Sequence, residues 1–233
     1  MDDRKGQWET SYQSRQNFVF YPCEELIRFV AKYLRKRVGL EEYQDRHAFG
    51  RPPRWLDLGC GIGRHVVYGH EAGMDVHGMD LSASAVAMAR QWAARAGVGD
   101  VERRIRQGSA DTLPWEDGYF DVVISHGVLD SMPFNIAQRA IAEVRRVLRA
   151  GGYFYCDLIS GDDSAHAREF AGEQTVRIEH ERDTIQSYFN FAKIERLIDS
   201  RLELLECNLV KKTDVLKGGF IGRYHCVLRK FQT

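Results

Sequence analysis

The sequence predicts an α/β fold: a doubly wound, mainly parallel seven-stranded sheet with a C-terminal antiparallel hairpin strand and helices on both faces. Three observations predict it. Short apolar runs alternate with amphipathic stretches from residue 54 to residue 160. A glycine-rich loop at 59–63 follows the first apolar run. Two strand candidates, at 202–211 and 222–231, lie close enough in the chain to form a hairpin at the sheet edge.

Each element has a local reason. The run at 119–125 is almost continuously apolar, as expected of a strand buried on both faces. Gly73 ends the helix that follows the glycine loop, and Ser82 or Ser84 caps the next one. An apolar stripe after Pro22 predicts an earlier helix. The five strands of the alternating region are predicted at 55–58, 75–79, 101–107, 119–125 and 153–159, with helices at 64–72, 82–96 and 136–148 and a later helix at 190–200.

Length and composition indicate one ordinary globular domain. The 233 residues suffice for one core, and 33 basic residues balance 33 acidic ones. We therefore expect a single domain over 1–233, with an N-terminal helical or lid segment (1–50), a cofactor-binding core (54–160), and a substrate-side insertion with the last strands (161–233). Five scattered cysteines without a C-x-x-C pair predict no metal site and a cytoplasmic protein. No apolar run is long enough to span a bilayer, so no membrane partner is expected.

The glycine loop differs from a dinucleotide-binding fingerprint. Its pattern is G-x-G-x-G, and Arg64 stands where the fingerprint has its third glycine. Asp57 precedes the loop by two residues. Asp80 ends the second predicted strand, where a carboxylate can accept hydrogen bonds from both hydroxyls of a ribose. Alternatively, Asp57 only ties down the loop and Asp80 only caps a helix.

The segments LDLGCGIGRH (56–65) and VHGMDLS (76–82) resemble the first two motifs of class I S-adenosylmethionine-dependent methyltransferases. GSADTLPW (108–115) and FDVVIS (120–125) resemble the third and fourth, and LRAGG (148–152) resembles the turn into the fifth strand. The resemblance covers about residues 54–160 and implies S-adenosylmethionine as cofactor and S-adenosylhomocysteine as product. One departure is Ser109, where the family often has an acidic residue; Asp111 is the alternative acceptor for the adenine amino group.

The resemblance also implies roles. The loop backbone approaches the methionine part of the cofactor, Asp57 its amino group and Asp80 the ribose. The Ser109-Ala110 segment meets adenine, and Ser125 with His126 lies near the sulfonium. The implied cofactor-binding residues are Asp57, Gly59, Cys60, Gly61, Gly63, Asp80, Leu81, Ser109, Ala110, Asp111, Ser125 and His126.

These features predict methyl transfer to a small organic acceptor by in-line displacement, in which alignment contributes most of the catalysis. His126 is the candidate general base, and Asp130 either orients its ring or acts in its place. The alternative is that only the His126 backbone lines the cofactor. Residues 1–22 and 161–189 are expected to cover the site and contribute Trp8, Tyr12, Phe18, Tyr21, His166, Arg168, Phe170, Tyr188 and Phe189.

The residues after the fourth strand bear on the class of acceptor. The residues after the fourth strand read Ser125-His126-Gly127-Val128, not the Asn/Asp-Pro-Pro-aromatic of the amino-group methyltransferases of nucleic acids. With zero net charge, nucleic acid is not expected as a partner. The alternatives left open are an RNA or protein methyltransferase, a catalytically silent cofactor-binding protein, and a nicotinamide-dependent oxidoreductase, which Arg64 disfavours. The sequence predicts neither the oligomeric state nor the atom that is methylated.

Overall fold

A computed structural model describes residues 4–15, 17–166, 169–178, 181–198 and 200–232 of the chain. The helices in these ranges are α1 (Arg4–Gln13), α2 (Glu24–Phe29), α3 (Arg64–Glu71), α4 (Ala83–Arg95), α5 (Val101–Arg104), α6 (Phe134–Val147) and α7 (Phe191–Leu197), with a π-helical turn at Val30–Leu34. The strands are β1 (Arg35–Arg37), β2 (Tyr43–Asp45), β3 (Arg54–Leu58), β4 (Asp75–Asp80), β5 (Ile105–Gln107), β6 (Phe120–Ser125), β7 (Leu148–Ile159), β8 (Glu173–Thr175), β9 (Ile185–Ser187), β10 (Leu202–Thr213) and β11 (Phe220–Lys230).

Seven of these strands form one sheet in the order β10-β11-β7-β6-β3-β4-β5. The five strands β7, β6, β3, β4 and β5 are parallel to one another. Strand β11 is antiparallel to both β7 and β10. Strands β10 and β11 form a hairpin joined by a short turn. The predicted fold class, including the closing hairpin, is confirmed. Two further two-stranded sheets, β1-β2 and β8-β9, lie outside it, and the sequence did not indicate them.

Apolar side chains cover both faces of the sheet. On one face, Ala140 and Val144 of α6 and Ile194 of α7 pack in a cluster with Phe154. On the other face, residues of α2, α3 and α4 pack around the fully buried Trp55. Because both faces are covered, the central strands are apolar almost throughout, as parallel strands require. No helix within the described ranges has the length and apolarity needed to cross a bilayer.

The strand predicted at 101–107 is wrong in its first half. Val101–Arg104 forms a single helical turn, α5, and only Ile105–Gln107 pairs with β4. The turn begins at Asp100, whose left-handed backbone (φ 49°) reverses the chain and whose carbonyl accepts from the backbone N–H groups of Arg103 and Arg104. Only Ile105 is fully buried in this stretch. Residues 101–104 are a surface turn with no buried side chain, so they do not have the apolar face of a strand.

The N-terminal helix α1 is tied to the start of α4. The Glu9 carboxylate accepts hydrogen bonds from the Ser82 hydroxyl (2.8 Å) and the Ser84 backbone N–H (3.2 Å). Burial opposes ionisation here, but the bonds from Ser84 and Ser82 hold the pKa of Glu9 at about 2. A carboxylate at a helix N-terminus is also favoured by the helix dipole. Helix α1 therefore lies over the edge of the sheet at which β3 and β4 end.

Asp121 is a buried charge at the opposite edge of the sheet. Its carboxylate accepts from the Arg54 backbone N–H (2.7 Å) and from the guanidinium groups of Arg51 (2.7 Å) and Arg149 (3.0 Å). The side chain is fully buried. It therefore joins the start of β6 to the start of β3 and to β7.

We expect Asp121→Ala to lower the free energy of unfolding by about 2–4 kcal/mol, because it leaves a buried backbone donor and two arginines without their acceptor. The matched control is Glu116→Ala, since Glu116 is exposed and such substitutions usually change stability by less than about 0.5 kcal/mol. Urea unfolding of the two variants and the parent measures the difference. Equal midpoints for all three would show that Asp121 contributes nothing.

Candidate active site

A cavity that is open to solvent lies at the carboxyl ends of β3, β4 and β6. This is the edge where ligands bind in open α/β sheets. Six of the residues expected at the site line it: Gly59, Asp80, Leu81, Ser109, Ala110 and His126. The other lining residues are Arg4, Trp8, Tyr12, Leu58, Met79, Gly108, Gly127, Val128, Ser131 and Met132.

Two glycines of the loop, Gly59 and Gly61, have no room for a side chain. Gly59 and Cys60 donate their backbone N–H groups to the Met79 carbonyl (2.7 and 3.0 Å), which pins the loop to the end of β4. Gly59 has a positive φ of 73°, and a Cβ atom there would overlap the side chain of Val128. A Cβ at Gly61 (φ 52°) would lie 2.6 Å from the Tyr12 hydroxyl. Both positions therefore require glycine.

Asp80 connects three parts of the site. Its carboxylate accepts from the Gly61 backbone N–H (2.8 Å) and from the Ser82 backbone N–H (2.9 Å). Only 8% of the residue is exposed, and that part faces the cavity. Burial raises the pKa of Asp80 to about 6, so the group is mostly ionised at neutral pH. An ionised carboxylate has about four acceptor sites, which leaves room for ligand hydroxyls.

Two buried polar atoms beside the loop have no hydrogen-bond partner among the described residues: Asp57 Oδ2 and Ser125 Oγ. They lie near the ends of the adjacent strands β3 and β6. Burial raises the pKa of Asp57 to about 8, so the carboxyl is largely neutral at pH 7. Buried polar atoms are normally paired. A ligand amine that reached Asp57 would supply the missing partner and favour its ionisation.

A second, smaller cavity lies beyond Tyr12 and shares Gly59 and His126 with the first. Cys60, Gly61, Arg64 and His65 are among its lining residues. Gly63 lines neither cavity; it is the N-cap of α3 and packs against Ala89 of α4. The space around the glycine loop is therefore divided by the Tyr12 side chain of α1.

Both ring nitrogens of His126 are occupied. Arg64 Nη2 lies 3.0 Å from Nδ1, and Asp157 Oδ2 lies 3.4 Å from Nε2. Because a guanidinium can only donate, Nδ1 must be the acceptor and Nε2 carries the proton. Burial lowers the pKa of His126 to about 4; Asp157 opposes this shift and Arg64 reinforces it. The ring is therefore neutral at physiological pH, and its lone pair is already used.

Asp157, not the expected Asp130, is the acid that faces the His126 ring, and a role of Asp130 in proton transfer stays a prediction. Asp130 is buried and accepts from Arg223 Nη2 (2.6 Å) and from the Ile159 backbone N–H (2.7 Å). Arg223 Nε also donates to Asp157 (2.7 Å), so one guanidinium bridges the two acids. Asp157 and Arg223 were missed because they lie on β7 and β11, far apart in the chain, and only the folded sheet brings them together. The available signal was a charged residue inside each apolar strand.

At the adenine end of the expected site, Ser109 and Ala110 line the main cavity and Asp111 does not. The Ser109 hydroxyl donates to Asp111, whose other oxygen accepts from Arg139 (2.8 Å). Asp111 is thus engaged on both oxygens. The Ser109 oxygen, with its hydrogen directed at Asp111, keeps its lone pairs for an acceptor role.

The flanking aromatic residues divide between site and core. Trp8 and Tyr12 line the main cavity. His166 stacks on Phe170 (ring centroids 4.4 Å apart), whereas Phe189 is fully buried and belongs to the core. Arg168 lies outside the described residues. Whether these segments close over a ligand stays a prediction, as do the roles of the individual cofactor-binding residues.

Comparison with known proteins identifies the central segment. Residues 56–156 match the methyltransferase domain family. An uncharacterized methyltransferase of Synechocystis is 36% identical over 99 residues, which are 42% of this chain and 43% of that protein. A malonyl-[acyl-carrier protein] O-methyltransferase of Pectobacterium atrosepticum is 35% identical over 100 residues, 42% of this chain and 35% of its own. The chain thus spans less than half the length of these curated relatives.

The fold has solved counterparts as well. A crystal structure of a S-adenosylmethionine-dependent methyltransferase from Methanosarcina mazei matches with a TM-score of 0.65 and 21% sequence identity. The match covers 78% of this chain and 94% of that one. Since it extends well beyond residues 56–156, the similarity of fold includes parts of the chain outside the matched family segment.

We expect the His126 ring to stay neutral, with its proton on Nε2, down to about pH 5, because burial and Arg64 disfavour a second proton. Two-dimensional ¹H–¹⁵N spectra of the imidazole groups measure both properties, and His126→Gln assigns the signals. The midpoint should lie near pH 4. A midpoint at pH 6 or above, or a proton on Nδ1, would contradict the arrangement described.

Proposed function

We propose that this chain, whose residues 56–156 match the methyltransferase domain family, transfers a methyl group from S-adenosylmethionine to a small organic acceptor. The observation that carries the proposal is the cavity at the carboxyl ends of β3, β4 and β6, where Asp80 and the loop at 59–63 meet. When bound, the cofactor would supply a sulfonium methyl group that an acceptor nucleophile attacks in line, while the neutral thioether leaves.

Three groups of this chain suit three parts of the cofactor. Asp80 presents an ionised carboxylate to the cavity and would hold the ribose hydroxyls. Asp57 lines neither cavity, but it lies beside the loop with one unpaired oxygen and would accept from an amino group that reaches it. Arg64 lines the smaller cavity and would pair with the carboxylate, since a guanidinium matches carboxylate geometry. Together they would fix the cofactor along the glycine loop.

Catalysis would then rest mainly on alignment, which is worth up to about 7–11 kcal/mol in favourable cases. His126 is retained as candidate base on one condition. Its Nδ1 lone pair becomes available only if Arg64 turns away, for example toward the cofactor carboxylate. Asp130, the other candidate, is paired with Arg223 and lines neither cavity at the site, which weakens its case for proton transfer.

A small acceptor is favoured over nucleic acid. The chain has zero net charge, and Ser125-His126-Gly127-Val128 lacks the Asn/Asp-Pro-Pro-aromatic pattern. The relative from Pectobacterium is named for an O-methyl transfer to a malonyl group on a carrier protein, which is consistent with a small reacting unit.

A cytoplasmic location is part of the proposal, supported by five cysteines that are all free thiols. Incubation with metabolite extracts, followed by a search for products heavier by one methylene, would separate an active enzyme from a silent binding protein.

Calorimetry tests the cofactor directly. We expect S-adenosylmethionine and S-adenosylhomocysteine to bind with micromolar dissociation constants, about −8 kcal/mol, since Asp80 and the glycine loop would engage both. NAD should bind far more weakly, because Arg64 occupies the position of the third fingerprint glycine. NAD binding as tight as that of S-adenosylhomocysteine would refute the proposal and favour an oxidoreductase.

We expect Asp80→Ala to weaken S-adenosylhomocysteine binding at least about tenfold, because two charge-assisted hydrogen bonds to the ribose are lost. Affinity of the parent should also fall as the pH drops below about 6, where Asp80 takes up a proton. The control is Asp75→Ala, which removes a carboxylate from the other end of the same strand. If Asp80→Ala stays folded and binds as tightly as the parent, Asp80 serves only to hold the loop and α4.

A further inference from the structure

The β10–β11 hairpin ends in an exposed apolar turn. We define the hairpin tip as residues 209–221. Val215 and Leu216 occupy its turn, with 90% and 97% of their surface exposed, and Val210 and Ile221 below them are also exposed. Single exposed aliphatic residues are common on protein surfaces and need no explanation. Two adjacent ones, almost fully exposed at the end of a projecting hairpin, form a point that can enter an apolar medium.

The turn is held in a defined shape. The Asp214 backbone N–H donates to the Gly219 carbonyl (3.0 Å), and Asp214 Oδ1 accepts from the backbone N–H groups of Leu216 (3.0 Å) and Lys217 (2.9 Å). Gly218 and Gly219 supply the positive φ angles that close it. Because the turn is already ordered, presenting Val215 and Leu216 to a partner costs little conformational entropy.

The hairpin tip is also basic. It contains Lys211, Lys212 and Lys217 but only one acid, Asp214, in a chain whose net charge is zero. Lys211 pairs with Asp162 (2.6 Å). Lys212 and Lys217 are exposed and have no ion-pair partner in the described part of the chain. Beside the Lys211–Asp162 pair, the tip therefore carries two lysines against the single acid Asp214, which leaves an excess of positive charge next to the apolar turn.

Topology places the hairpin tip at the functional edge of the sheet. Strand β10 runs parallel to β7 and hence to β3, because β11 is antiparallel to both β10 and β7. The end of β10 therefore lies at the same edge as the ends of β3 and β6, where the main cavity opens. A surface bound by the hairpin tip would face this edge.

We propose that the hairpin tip docks the protein on the surface of an anionic lipid bilayer. Stable attachment to a membrane surface usually needs two signals, and the tip combines an apolar insertion with basic residues that attract anionic headgroups. A second copy of the chain is a poorer partner, because lysines would face lysines. Single-stranded nucleic acid is also a poorer partner, because the projecting residues are aliphatic and do not stack on bases. Peripheral docking of this kind requires no spanning helix.

The β1–β2 hairpin offers a matched control. Leu40 at its turn is 87% exposed, nearly as much as Leu216. It is followed directly by Glu41 and Glu42, which an anionic surface would repel. The two hairpins thus present similar aliphatic side chains with different local charge, because in β1–β2 the basic residues 35–37 are balanced by Glu41, Glu42 and Asp45. The hairpin tip, which has an excess of lysine, should therefore bind the anionic bilayer more strongly.

Sedimentation with phosphatidylcholine vesicles, with and without phosphatidylserine, tests the proposal on the full chain. The parent should bind the vesicles that contain phosphatidylserine, and the double variant Val215→Asp/Leu216→Asp should partition at least about tenfold less. Leu40→Asp should bind like the parent. Lys212→Glu/Lys217→Glu should lose the preference for phosphatidylserine, and that preference should weaken as salt is raised.

Several results would overturn docking on lipid. They are absence of parent binding to phosphatidylserine vesicles, an equal loss in Leu40→Asp, or a concentration-dependent dimer by light scattering that Leu216→Asp abolishes. Far-UV circular dichroism and thermal melting establish that each variant is folded, and the substituted side chains are exposed, so little destabilisation is expected. The test involves no methyl transfer, so its failure and that of the proposed function are separate results.

Discussion

The hydrogen bonds of one carboxylate organise the ligand-binding edge. Asp80 ends β4 and accepts from Gly61 in the loop after β3 and from Ser82 at the start of α4. Buried backbone donors need acceptors. The glycines of the loop have no side chains that could accept from its N–H groups. The loop therefore takes Asp80 and the Met79 carbonyl as its acceptors. The same carboxylate faces the cavity, so the group that shapes the loop is also the group best placed to receive a ligand.

A second constraint acts on the neighbouring strands. Asp157 of β7 and Asp130 after β6 are buried and would repel each other without Arg223 of β11, which bonds to both. Replacing one partner of such a network leaves a buried charge uncompensated. The antiparallel strand β11 thus does more than extend the sheet, because its Arg223 allows Asp157, which faces His126, and Asp130, in the segment after β6, to be buried together. Asp157 also accepts from the Gly127 backbone N–H (2.6 Å), which fixes the start of that segment.

Local sequence patterns were enough to predict the sheet. A strand buried on both faces has a nearly continuous apolar sequence, and glycine marks the ends of the helices between the strands. They failed at Val101–Arg104, which is a surface turn with no buried side chain. The glycine loop and Asp80 were found because neighbouring residues define them. Asp157 and Arg223 could not be found in this way, because their pairing joins residues 66 apart in the chain. Glu9 was missed for the same reason, since its partners lie on α4.

The position of Arg64 connects these two constraints. It opens α3 directly after the glycine loop, and its guanidinium reaches the Tyr21 carbonyl (3.3 Å) and His126 Nδ1 (3.0 Å). A neutral imidazole is a weaker acceptor for a guanidinium than a carboxylate is, because only the carboxylate carries an opposite charge and can accept two parallel N–H bonds. A ligand that brings a carboxylate into the smaller cavity would therefore compete well for Arg64. If Arg64 moved away, Asp157 would remain beside the His126 ring. The loss of the neighbouring guanidinium would remove one of the charges that keep the pKa of His126 low. Binding of such a ligand would in this way raise the basicity of His126, so that the ring could accept a proton only when the site is filled.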